Sequence, residues 1–298
     1  MTALNPQAQA IFDAHQDLAL PTDGPLAALF THEAPLYRAA KQACLALGFI
    51  EIDAECLARA WQVQMERTGE FKPEDWPDSP ADFGMHAFPR DNAFAPCPHR
   101  LGLYAVLPDA AWVGRMARAG VPTVQLRFTS DDPTAIKREI DASVQAVQGT
   151  GARLFINDHW QLAIEADAYG VHLGQEDLDL ADLECIRASG LRLGLSSHGY
   201  TEMLRADALS PSYIAMGAVF ATTLKRMMTA PQGTGRLHAY AKLMRDYPLV
   251  AIGGIDTSQL PAVLASGVGS VAVVRALVAA AQPEDMAAQL QAAISSAA

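Results

Sequence analysis

Cysteine, basic charge and long apolar runs are scarce in this chain of 298 residues. The formal net charge of −11 argues against broad binding to nucleic acid or an anionic membrane, since both need a basic face. No apolar stretch approaches the roughly 18 residues of a membrane span, and the N-terminus lacks the basic start of a signal peptide. No Cys-x-x-Cys pair is present, so we expect reduced thiols in a cytoplasmic protein rather than a zinc site or disulfide framework. The cysteines are Cys44, Cys56, Cys97 and Cys185.

Apolar residues are plentiful: they make up 50% of the chain, while charged residues make up 18%. This balance is ordinary for a soluble globular protein, and the chain is long enough to bury a substantial core. An anionic small-molecule substrate is compatible with the negative net charge, provided that a few Arg and Lys side chains converge. The sequence also allows a homo-oligomer.

The chain divides into two regions with different patterns, residues 1–98 and residues 99–298. The first region contains two helical stretches, roughly Pro35–Leu47 and Asp53–Thr68. They are followed by Phe71–Arg100, whose many prolines make regular structure improbable. We interpret this segment as a linker or as a strap over a neighbouring part of the protein. The first region is therefore predicted to be a helical and irregular extension of unknown role.

The second region alternates eight short apolar runs with amphipathic helical stretches. Eight such units in about 200 residues predict a (β/α)8 barrel, also called a TIM barrel. The runs are continuously apolar, which is typical of parallel strands covered by helices. A doubly wound open sheet is the alternative, but eight even units ending in a helix favour closure. The predicted strands are Gly102–Leu107, Thr123–Phe128, Arg153–Asp158, Tyr169–Gly174, Leu191–Ser196, Tyr213–Phe220, Leu249–Gly254 and Ser270–Ala276.

Unusual polar residues stand at the carboxyl ends of these strands, where barrel enzymes carry their catalytic groups. Side chains that are far apart in sequence should therefore meet at one mouth of the barrel. In chain order they are Gln125, Arg127, Asn157, Asp158, His172, Glu176, Asp177, Ser196, Ser197, His198, Thr222, Thr223, Lys225, Gly253, Gly254, Val274 and Arg275.

The residue types predict a site for a Mg²⁺-bound phosphate or pyrophosphate. Asp158 and Asp177 offer the carboxylate oxygens that Mg²⁺ prefers, together with waters and phosphate oxygens. Arg127 and Lys225 can neutralise the remaining charge of a pyrophosphate. A Gly-Gly pair at positions 253–254 lets backbone N–H groups approach an anion closely. Neutral donors that would complete the site are Asn157, Ser196 and Thr222.

Several of these residues also have plain structural interpretations. Asp158 precedes a predicted helix and could simply cap it, whereas Asp179 or Asp182 could cap the helix that follows Asp177. The glycine pair could be an ordinary turn. His172 lies within a strand, and a satisfied core histidine and a site residue are equally good interpretations.

The second region resembles the thiamine phosphate synthase family. The stretch LFINDHWQLAIEADAYGVHLGQEDL (Leu154–Leu178) is similar to that family's central signature, and GVHLGQED is highly specific. The other similar segments follow in family order, from about Leu101 to the C-terminus. They are VQLR (Val124–Arg127), RLGLSSH (Arg192–His198), YIAMGAVFATTLK (Tyr213–Lys225), APQG (Ala230–Gly233), VAIGGI (Val250–Ile255) and GVGSVAVV (Gly267–Val274).

The resemblance implies a condensation of 4-amino-2-methyl-5-(diphosphooxymethyl)pyrimidine with 4-methyl-5-(2-phosphooxyethyl)thiazole, giving thiamine phosphate and pyrophosphate. By matching position, Asp158 and Asp177 would hold the Mg²⁺ cofactor. The expected ligands of the pyrimidine pyrophosphate are Gln125, Arg127, Asn157, Ser196 and Lys225. Of these, Arg127, Ser196 and Lys225 are the expected catalytic groups. The expected surroundings of the thiazole phosphate are Thr222, Thr223, Gly254, Val274 and Arg275.

The sequence departs from the family pattern at three positions. Thr129, within the expected substrate-binding set, stands where the family usually has Lys, so one pyrophosphate cation is missing. Leu224 replaces a hydroxyl residue, and Arg275 replaces the usual Ser near the end of strand eight. We hypothesise that Arg275 restores positive charge near the phosphates and partly offsets the missing Lys.

Two other functions fit the same resemblance less well. A thiazole tautomerase on this fold would need no metal for pyrophosphate, so the presence of both Asp158 and Asp177 argues against it. A catalytically weakened barrel that binds thiamine precursors or a partner protein would explain Thr129 and the extension. The stretch Ala43–Trp61 is faintly similar to the end of the hydroxymethylpyrimidine phosphate kinase fold. The extension is too short for a kinase, so we expect a remnant or a helical cap on the barrel or on a partner subunit.

Overall fold

A closed barrel of eight parallel strands forms the centre of the molecule. The computed structural model describes residues 4–21, 29–87, 90–222 and 229–297. Each strand pairs with the next in sequence, and the last closes on the first. The strands are β1 (Gly102–Leu107), β2 (Thr123–Leu126), β3 (Arg153–Asn157), β4 (Gly170–Leu173), β5 (Arg192–Ser197), β6 (Tyr213–Met216), β7 (Leu249–Ile252) and β8 (Ser270–Val273).

Strand β1 decides between the two predicted architectures, because it pairs on both sides. Tyr104 lies opposite Thr123 of β2, and Gly102 lies opposite Ser270 of β8. The Ser270 hydroxyl also accepts a hydrogen bond from the backbone N–H of Leu101, at 2.7 Å. The predicted TIM barrel is therefore confirmed, and the open doubly wound sheet is wrong.

Helices surround the barrel and bury apolar side chains against the outer face of the sheet. Aspartates begin several of them: Asp109, Asp132 and Asp182 accept backbone N–H groups of the first turn, as N-caps do. The helices are α4 (Ala110–Arg118), α5 (Pro133–Val147), α6 (Trp160–Glu165), α7 (Leu183–Ala188), α8 (Tyr200–Leu209), α9 (Gly233–Leu243), α10 (Leu260–Leu264), α11 (Arg275–Val278) and α12 (Pro283–Ser296). In the part of the chain that the structure describes, no helix is long and apolar enough to cross a membrane.

Aromatic rings fill the interior of the barrel below its mouth. Tyr104, Phe155 and Tyr213 are fully buried and pack against one another, with centroid distances of 5.1 to 5.9 Å. A Cβ on Gly194 of β5 would lie 2.1 Å from the Tyr213 ring, and one on Gly170 of β4 would lie 2.5 Å from Phe155. Glycine on two strands thus makes room for the rings, which fill the barrel beneath its mouth.

The N-terminal extension is mainly helical, as predicted, and has its own small apolar core around Tyr37 and Trp61. Its helices are α1 (Pro6–Ala14), α2 (Pro35–Ala46) and α3 (Glu51–Thr68), with short 3-10 helices at Gln16–Leu18 and Pro80–Phe83. Helix α3 packs against α8 of the barrel.

The proline-rich segment after the extension lies along the amino-terminal ends of the strands. Phe94 is buried there, and its N–H donates to the carbonyl of Ser210, just before β6. The Ser212 hydroxyl donates to the Ala95 carbonyl at 2.6 Å, and Arg192 of β5 donates to the Pro96 carbonyl. The segment therefore covers the end of the barrel opposite the mouth that carries the polar residues.

Candidate active site

One cavity of about 740 Å³ opens at the carboxyl ends of the strands. Its walls bring together residues from β1 to β8 that are far apart in sequence, from Val106 to Ala279. The residues of the predicted site that line it are Gln125, Arg127, Asn157, Asp158, His172, Asp177, Ser196, Thr222, Gly254, Val274 and Arg275. Thr129 is exposed and is not among the lining residues. Thr223, Leu224 and Lys225 lie outside the residues that the structure describes.

Strand β3 delivers Asp158 to the cavity in an unusual backbone conformation. Its φ of 64° is left-handed, a region that costs most L-residues energy and that Asp tolerates better than most. The N–H of Asp158 donates to the carbonyl of His172 on β4, at 3.0 Å. Helix α6 begins only after His159. Asp158 is therefore not the N-cap of that helix, and the backbone turns its carboxylate toward the cavity instead.

Gln125, Asn157 and Asp158 form a hydrogen-bonded row across β2 and β3. The Gln125 amide donates to Asn157 Oδ1 at 3.1 Å, and the Asn157 amide donates to Asp158 Oδ2 at 2.5 Å. Gln125 is buried, so the row is anchored within the barrel wall. It orients the Asp158 carboxylate relative to β2.

Asp177 stands after β4, at the start of a 3-10 helix spanning Asp177–Asp179. Its Oδ2 accepts the backbone N–H of Gly174 at 2.9 Å, which fixes the carboxylate beside the strand end. The neighbouring Glu176 also lines the cavity. The next helix, α7, is capped by Asp182, whose side chain accepts from the N–H of Cys185. Asp177 is thus not needed as the cap of α7.

His172 joins the cavity wall to the barrel interior. Its Nδ1 lies 2.7 Å from the Tyr213 hydroxyl, and its Nε2 lies 2.9 Å from the Ser196 hydroxyl. Tyr213 is hydrogen bonded in turn to Tyr104, at 2.8 Å. The ring of His172 is therefore satisfied by hydrogen bonds, as expected of a core histidine, and it also lines the cavity, while its part in the site stays a prediction.

Two guanidinium groups follow the two strands that flank β1. Arg127 follows β2, where its backbone N–H donates to the Leu107 carbonyl at the end of β1. Arg275 follows β8 and begins α11. Both side chains are exposed and line the cavity. Arg127 and Arg275 therefore bring positive charge to this side of the mouth, where Asp256 also follows β7, and the other carboxylates of the lining lie toward β3 and β4.

The glycine pair after β7 is required by its packing. Gly253 and Gly254 have φ values of 106° and 64°. A Cβ on Gly254 would lie 2.5 Å from the Ala221 carbonyl oxygen. The carbonyl of Gly253 accepts the N–H of Phe220 at 2.9 Å. The pair is therefore a turn against which the connection after β6 packs, and it lines the cavity at the same time.

The family model described as Thiamine monophosphate synthase matches residues 103–277. The chain belongs to this family. A thiamine-phosphate synthase of Neisseria gonorrhoeae is 56% identical over 191 residues, which cover 64% of this chain and 93% of that protein. A thiamine-phosphate synthase of Cronobacter sakazakii is 54% identical over 184 residues, covering 62% of this chain and 88% of that protein.

Solved structures agree with this assignment to the thiamine monophosphate synthase family. The thiamine phosphate pyrophosphorylase of Pyrococcus furiosus superposes with a TM-score of 0.60 at 25% identity, covering 66% of this chain and 96% of that protein. A 3-hexulose-6-phosphate synthase from Salmonella typhimurium, with a TM-score of 0.51 at 16% identity, covers 66% of this chain and 100% of its own, and shares only the fold. The family match begins after β1 does, so the N-terminal extension lies outside it.

The cavity also contains His198, which the sequence analysis placed at a strand end without assigning it a role. Its Nδ1 and its backbone N–H both lie within 2.8 Å of Glu202 Oε2, in the first turn of α8. Asp256 and Ile255 line the cavity too. Ile255 ends the VAIGGI segment of the sequence analysis, and the position of Asp256 directly after it was a usable signal, because side chains that follow β2, β3 and β8 also line the cavity.

Proposed function

We propose that this cavity is where the enzyme joins the pyrimidine pyrophosphate to the thiazole phosphate. The protein is a transferase of the thiamine-phosphate synthase type, which makes thiamine phosphate and releases pyrophosphate. The observation that carries the site assignment is the convergence of Asp158 and Asp177 with the guanidinium groups of Arg127 and Arg275 on one cavity of about 740 Å³. A cavity of that size suits two substrates of this kind bound together.

The acidic side of the cavity fits Mg²⁺. Within residues 4–21, 29–87, 90–222 and 229–297, no three His, Cys, Asp or Glu side chains cluster so as to hold a metal ion by themselves. Mg²⁺ usually takes one or two carboxylates together with waters and substrate phosphates. Asp158 and Asp177 would be those carboxylates. When bound, the ion would neutralise charge on the leaving pyrophosphate.

Arg127 and Ser196 would bind the pyrophosphate, together with Lys225 in the part of the chain outside the described residues. A phosphate oxygen only accepts hydrogen bonds, so it selects the arrangement in which the Ser196 hydroxyl donates outward. His172 Nε2 then donates to Ser196 Oγ, and His172 Nδ1 accepts from the hydroxyl of Tyr213. The buried hydrogen-bond chain thus holds Ser196 ready to donate. Gln125 and Asn157 would orient the pyrimidine end.

The thiazole phosphate would lie on the opposite side, near β7 and β8. Gly254 and Val274 line the cavity there and offer close approach to the backbone. Arg275 supplies a positive charge that suits a phosphate monoester. Thr222 lines the same side, and Thr223 follows it outside the described residues.

The reaction needs charge stabilisation and positioning rather than a general base. The C–O bond breaks with both electrons leaving on pyrophosphate, and the pyrimidine stabilises the resulting cation. The lone pair of the thiazole nitrogen then forms the new C–N bond, and no proton has to leave. Arg127, Ser196 and Lys225 would stabilise the departing charge, while the walls hold the two rings at bonding distance.

Product formation tests this function directly. The purified protein is mixed with both substrates and Mg²⁺, and parallel reactions contain EDTA or the Asp158→Ala variant. We expect metal-dependent thiamine phosphate that is lost in both controls. A folded wild-type protein that binds either substrate but forms no product would refute the synthase function, and would favour a barrel that only binds thiamine precursors.

A further inference from the structure

The N-terminal extension contacts the barrel at the two connections that follow β5 and β6. Helix α3 packs against the beginning of α8, and the 3-10 helix Gln16–Leu18 packs against the beginning of α9. Both connections line the cavity: His198 directly follows Ser196 and Ser197, the last two residues of β5, and Ala218 and Thr222 follow β6. The extension therefore touches the parts of the barrel that border the substrates.

Asp53 of α3 supplies the N-terminal cap of α8 from outside that helix. Its Oδ1 accepts both the N–H and the hydroxyl of Thr201, each at 2.8 Å, across 148 positions of sequence. The residue in the N-cap position is Gly199, which has no side chain to make this bond. A Cβ on Gly199 would lie 2.0 Å from Asp53 Oδ2. The glycine thus admits the carboxylate, and the carboxylate replaces the missing cap.

The Asp53 carboxylate is held in a place that is costly for a charge. Only 4% of the residue is exposed. Burial raises the pKa of Asp53, and hydrogen bonds from Thr201 and Tyr200 of α8 act in the opposite direction. The first turn of α8 also carries Glu202, which binds the cavity residue His198. Asp53 is therefore connected to the cavity residue His198 through the first turn of α8.

Arg236 makes the second attachment, from α9 to the extension. Its buried guanidinium donates to the carbonyls of Leu18 at 2.9 Å and Leu47 at 2.8 Å, and lies 3.7 Å above the ring of Phe49. At Gly235 the backbone of the extension comes so close that a Cβ would lie 2.1 Å from the Asp17 carbonyl oxygen. Such contacts fix where α9 begins.

The start of α9 is itself attached to the connection after β6. The N–H of Gln232 donates to the Ala218 carbonyl at 2.8 Å, and the N–H of Gly233 donates to the Val219 carbonyl at 2.9 Å. Ala218 lines the cavity. A shift of the extension would therefore reach the cavity through α9 as well as through α8.

We propose that the extension positions the β5–α8 and β6–α9 connections for catalysis, with Asp53 and Arg236 as positioning residues. This inference rests on the proposed function, because it assigns the extension to the same substrate site. Ser196 lies at the end of β5, directly before the capped connection, so release of the cap acts first on the pyrophosphate side. The hydrogen bonds of Asp53 go to α8 rather than to β7 or β8, where the thiazole phosphate would lie.

The test compares two buried carboxylates of the extension. Asp53→Ala removes the cap of α8, and Asp53→Asn keeps an acceptor oxygen for Thr201. The matched control is Asp82→Ala, because Asp82 is equally buried but accepts its two 2.7 Å hydrogen bonds from Arg67 of α3, within the extension. Steady-state kinetics with each substrate varied in turn are measured for all variants in the full-length protein.

We expect Asp53→Ala to raise the KM for the pyrimidine pyrophosphate about tenfold, because the connection that directly follows Ser196 and Ser197 is no longer held in place. The KM for the thiazole phosphate should stay within about twofold, and Asp53→Asn should recover most of the loss. Asp82→Ala should leave both KM values unchanged. Equal changes in Asp53→Ala and Asp82→Ala, or unchanged KM values in both, would overturn the proposal and leave the extension a purely stabilising role.

Hydrogen exchange without substrates separates this inference from the proposed function. In Asp53→Ala, amide exchange should become faster across Ser197–Arg205 and remain unchanged in β7 and β8, whether or not the protein makes thiamine phosphate. Should Asp53→Ala fail to fold, Gly235→Ala tests the other attachment, since its Cβ pushes against Asp17. Faster exchange at the start of α9 is expected there, and an unaltered rate would contradict the proposal.

Discussion

Nε2 of His172 lies 2.9 Å from Oγ of Ser196, at the wall of the cavity. The other nitrogen of the ring is held by Tyr213, which also stacks on the imidazole at a centroid distance of 5.7 Å. The imidazole ring therefore has little freedom to rotate. Ser196 is oriented by His172, which Tyr213 holds from the barrel interior. A serine that must donate to a phosphate oxygen gains from such a support.

His172→Phe should lower kcat/KM for the pyrimidine pyrophosphate about tenfold or more, since Ser196 loses its orienting partner. Tyr213→Phe is the comparison, because it leaves the bond between His172 and Ser196 in place. That variant should lose about 1–3 kcal/mol of folding free energy, as the buried Tyr104 hydroxyl loses a partner, and should keep more activity. A larger loss of kcat/KM in Tyr213→Phe than in His172→Phe would contradict the view that His172 orients Ser196 and that Tyr213 mainly stabilises the fold.

Asp158→Gly should separate stability from activity. Glycine adopts the observed φ of 64° without strain. The free energy of unfolding should therefore stay level or rise by up to about 1 kcal/mol, while product formation is lost with the carboxylate. Denaturant unfolding and the product assay measure the two effects. Asp158→Asn is the control of equal size, and a parallel loss of stability and activity in Asp158→Gly would show that the carboxylate is structural.

Arg275→Ser should raise the KM for the thiazole phosphate about tenfold, because a charge-assisted hydrogen bond to the phosphate is removed. The melting temperature should change little, since the side chain is exposed. Arg115→Ser removes another exposed arginine, which pairs with Glu284 on the outer helices. It should leave both KM values unchanged. An equal KM in Arg275→Ser and the wild type would refute the hypothesis that Arg275 compensates for the missing Lys.

Thr129→Lys should lower the KM for the pyrimidine pyrophosphate by about threefold at low ionic strength, because it adds a cation after β2 on an exposed position. The gain should shrink as salt is added. Thr68→Lys adds the same charge at the exposed end of α3 and serves as the control. If Thr129→Lys has no effect at any salt concentration, position 129 does not face the pyrophosphate, which would agree with its absence from the cavity lining.

Glu55 should make the extension sensitive to acid. Partial burial alone would raise the pKa of Glu55, but hydrogen bonds from four side chains outweigh it and lower the pKa from 4.5 to about 2. The folded-state value lies below the unfolded one, so this contribution to stability is complete above about pH 4.5 and disappears as the pH falls toward 2. The four donors are Lys41, Tyr37, Thr31 and Arg59.

Glu55→Gln should therefore destabilise the protein by about 2 kcal/mol at pH 7. The difference in melting temperature from the wild type should shrink steadily below about pH 4.5. Thermal unfolding followed by tryptophan fluorescence measures it, since Trp61 lies in the core of the extension. Glu33→Gln, at a side chain that is 91% exposed, is the control. A difference that stays constant over the whole pH range would contradict this account.

The barrel was predictable from sequence because each strand is a short apolar run followed by polar residues. β1 was predicted with its observed bounds, whereas β6 was predicted to run to Phe220 and ends at Met216. Directly after β6, the backbone at Gly217 comes so close to β7 that a Cβ would lie 2.3 Å from the Ile252 carbonyl oxygen. Close approach of two backbones has no periodic signal. Helix α1 was not predicted because its apolar pattern is weak. The helix is short, and its buried residues are Ala8 and Ile11.

The residues around the cavity were also largely predictable, since strand ends meet wherever the barrel closes. The sequence pattern could not predict the hydrogen bonds that hold these cavity residues in place. Tyr104 and Tyr213 reach His172 from the barrel interior, and that contact depends on the register of strands that are not adjacent in sequence. The contact between Asp53 and Thr201 crosses 148 positions and two regions of the chain. Neither follows from local periodicity.

The aromatic filling of the barrel limits how the protein can change over time. The ring of Tyr213 occupies the volume that a side chain at Gly194 would need, with 2.1 Å between the ring and the added Cβ. A larger residue on β5 is therefore tolerated only after the tyrosine on β6 has become smaller, and that second change would remove the hydroxyl beneath His172. New substrates can consequently be accommodated by altering the connections at the mouth, while the floor of the cavity stays the same from one variant to the next.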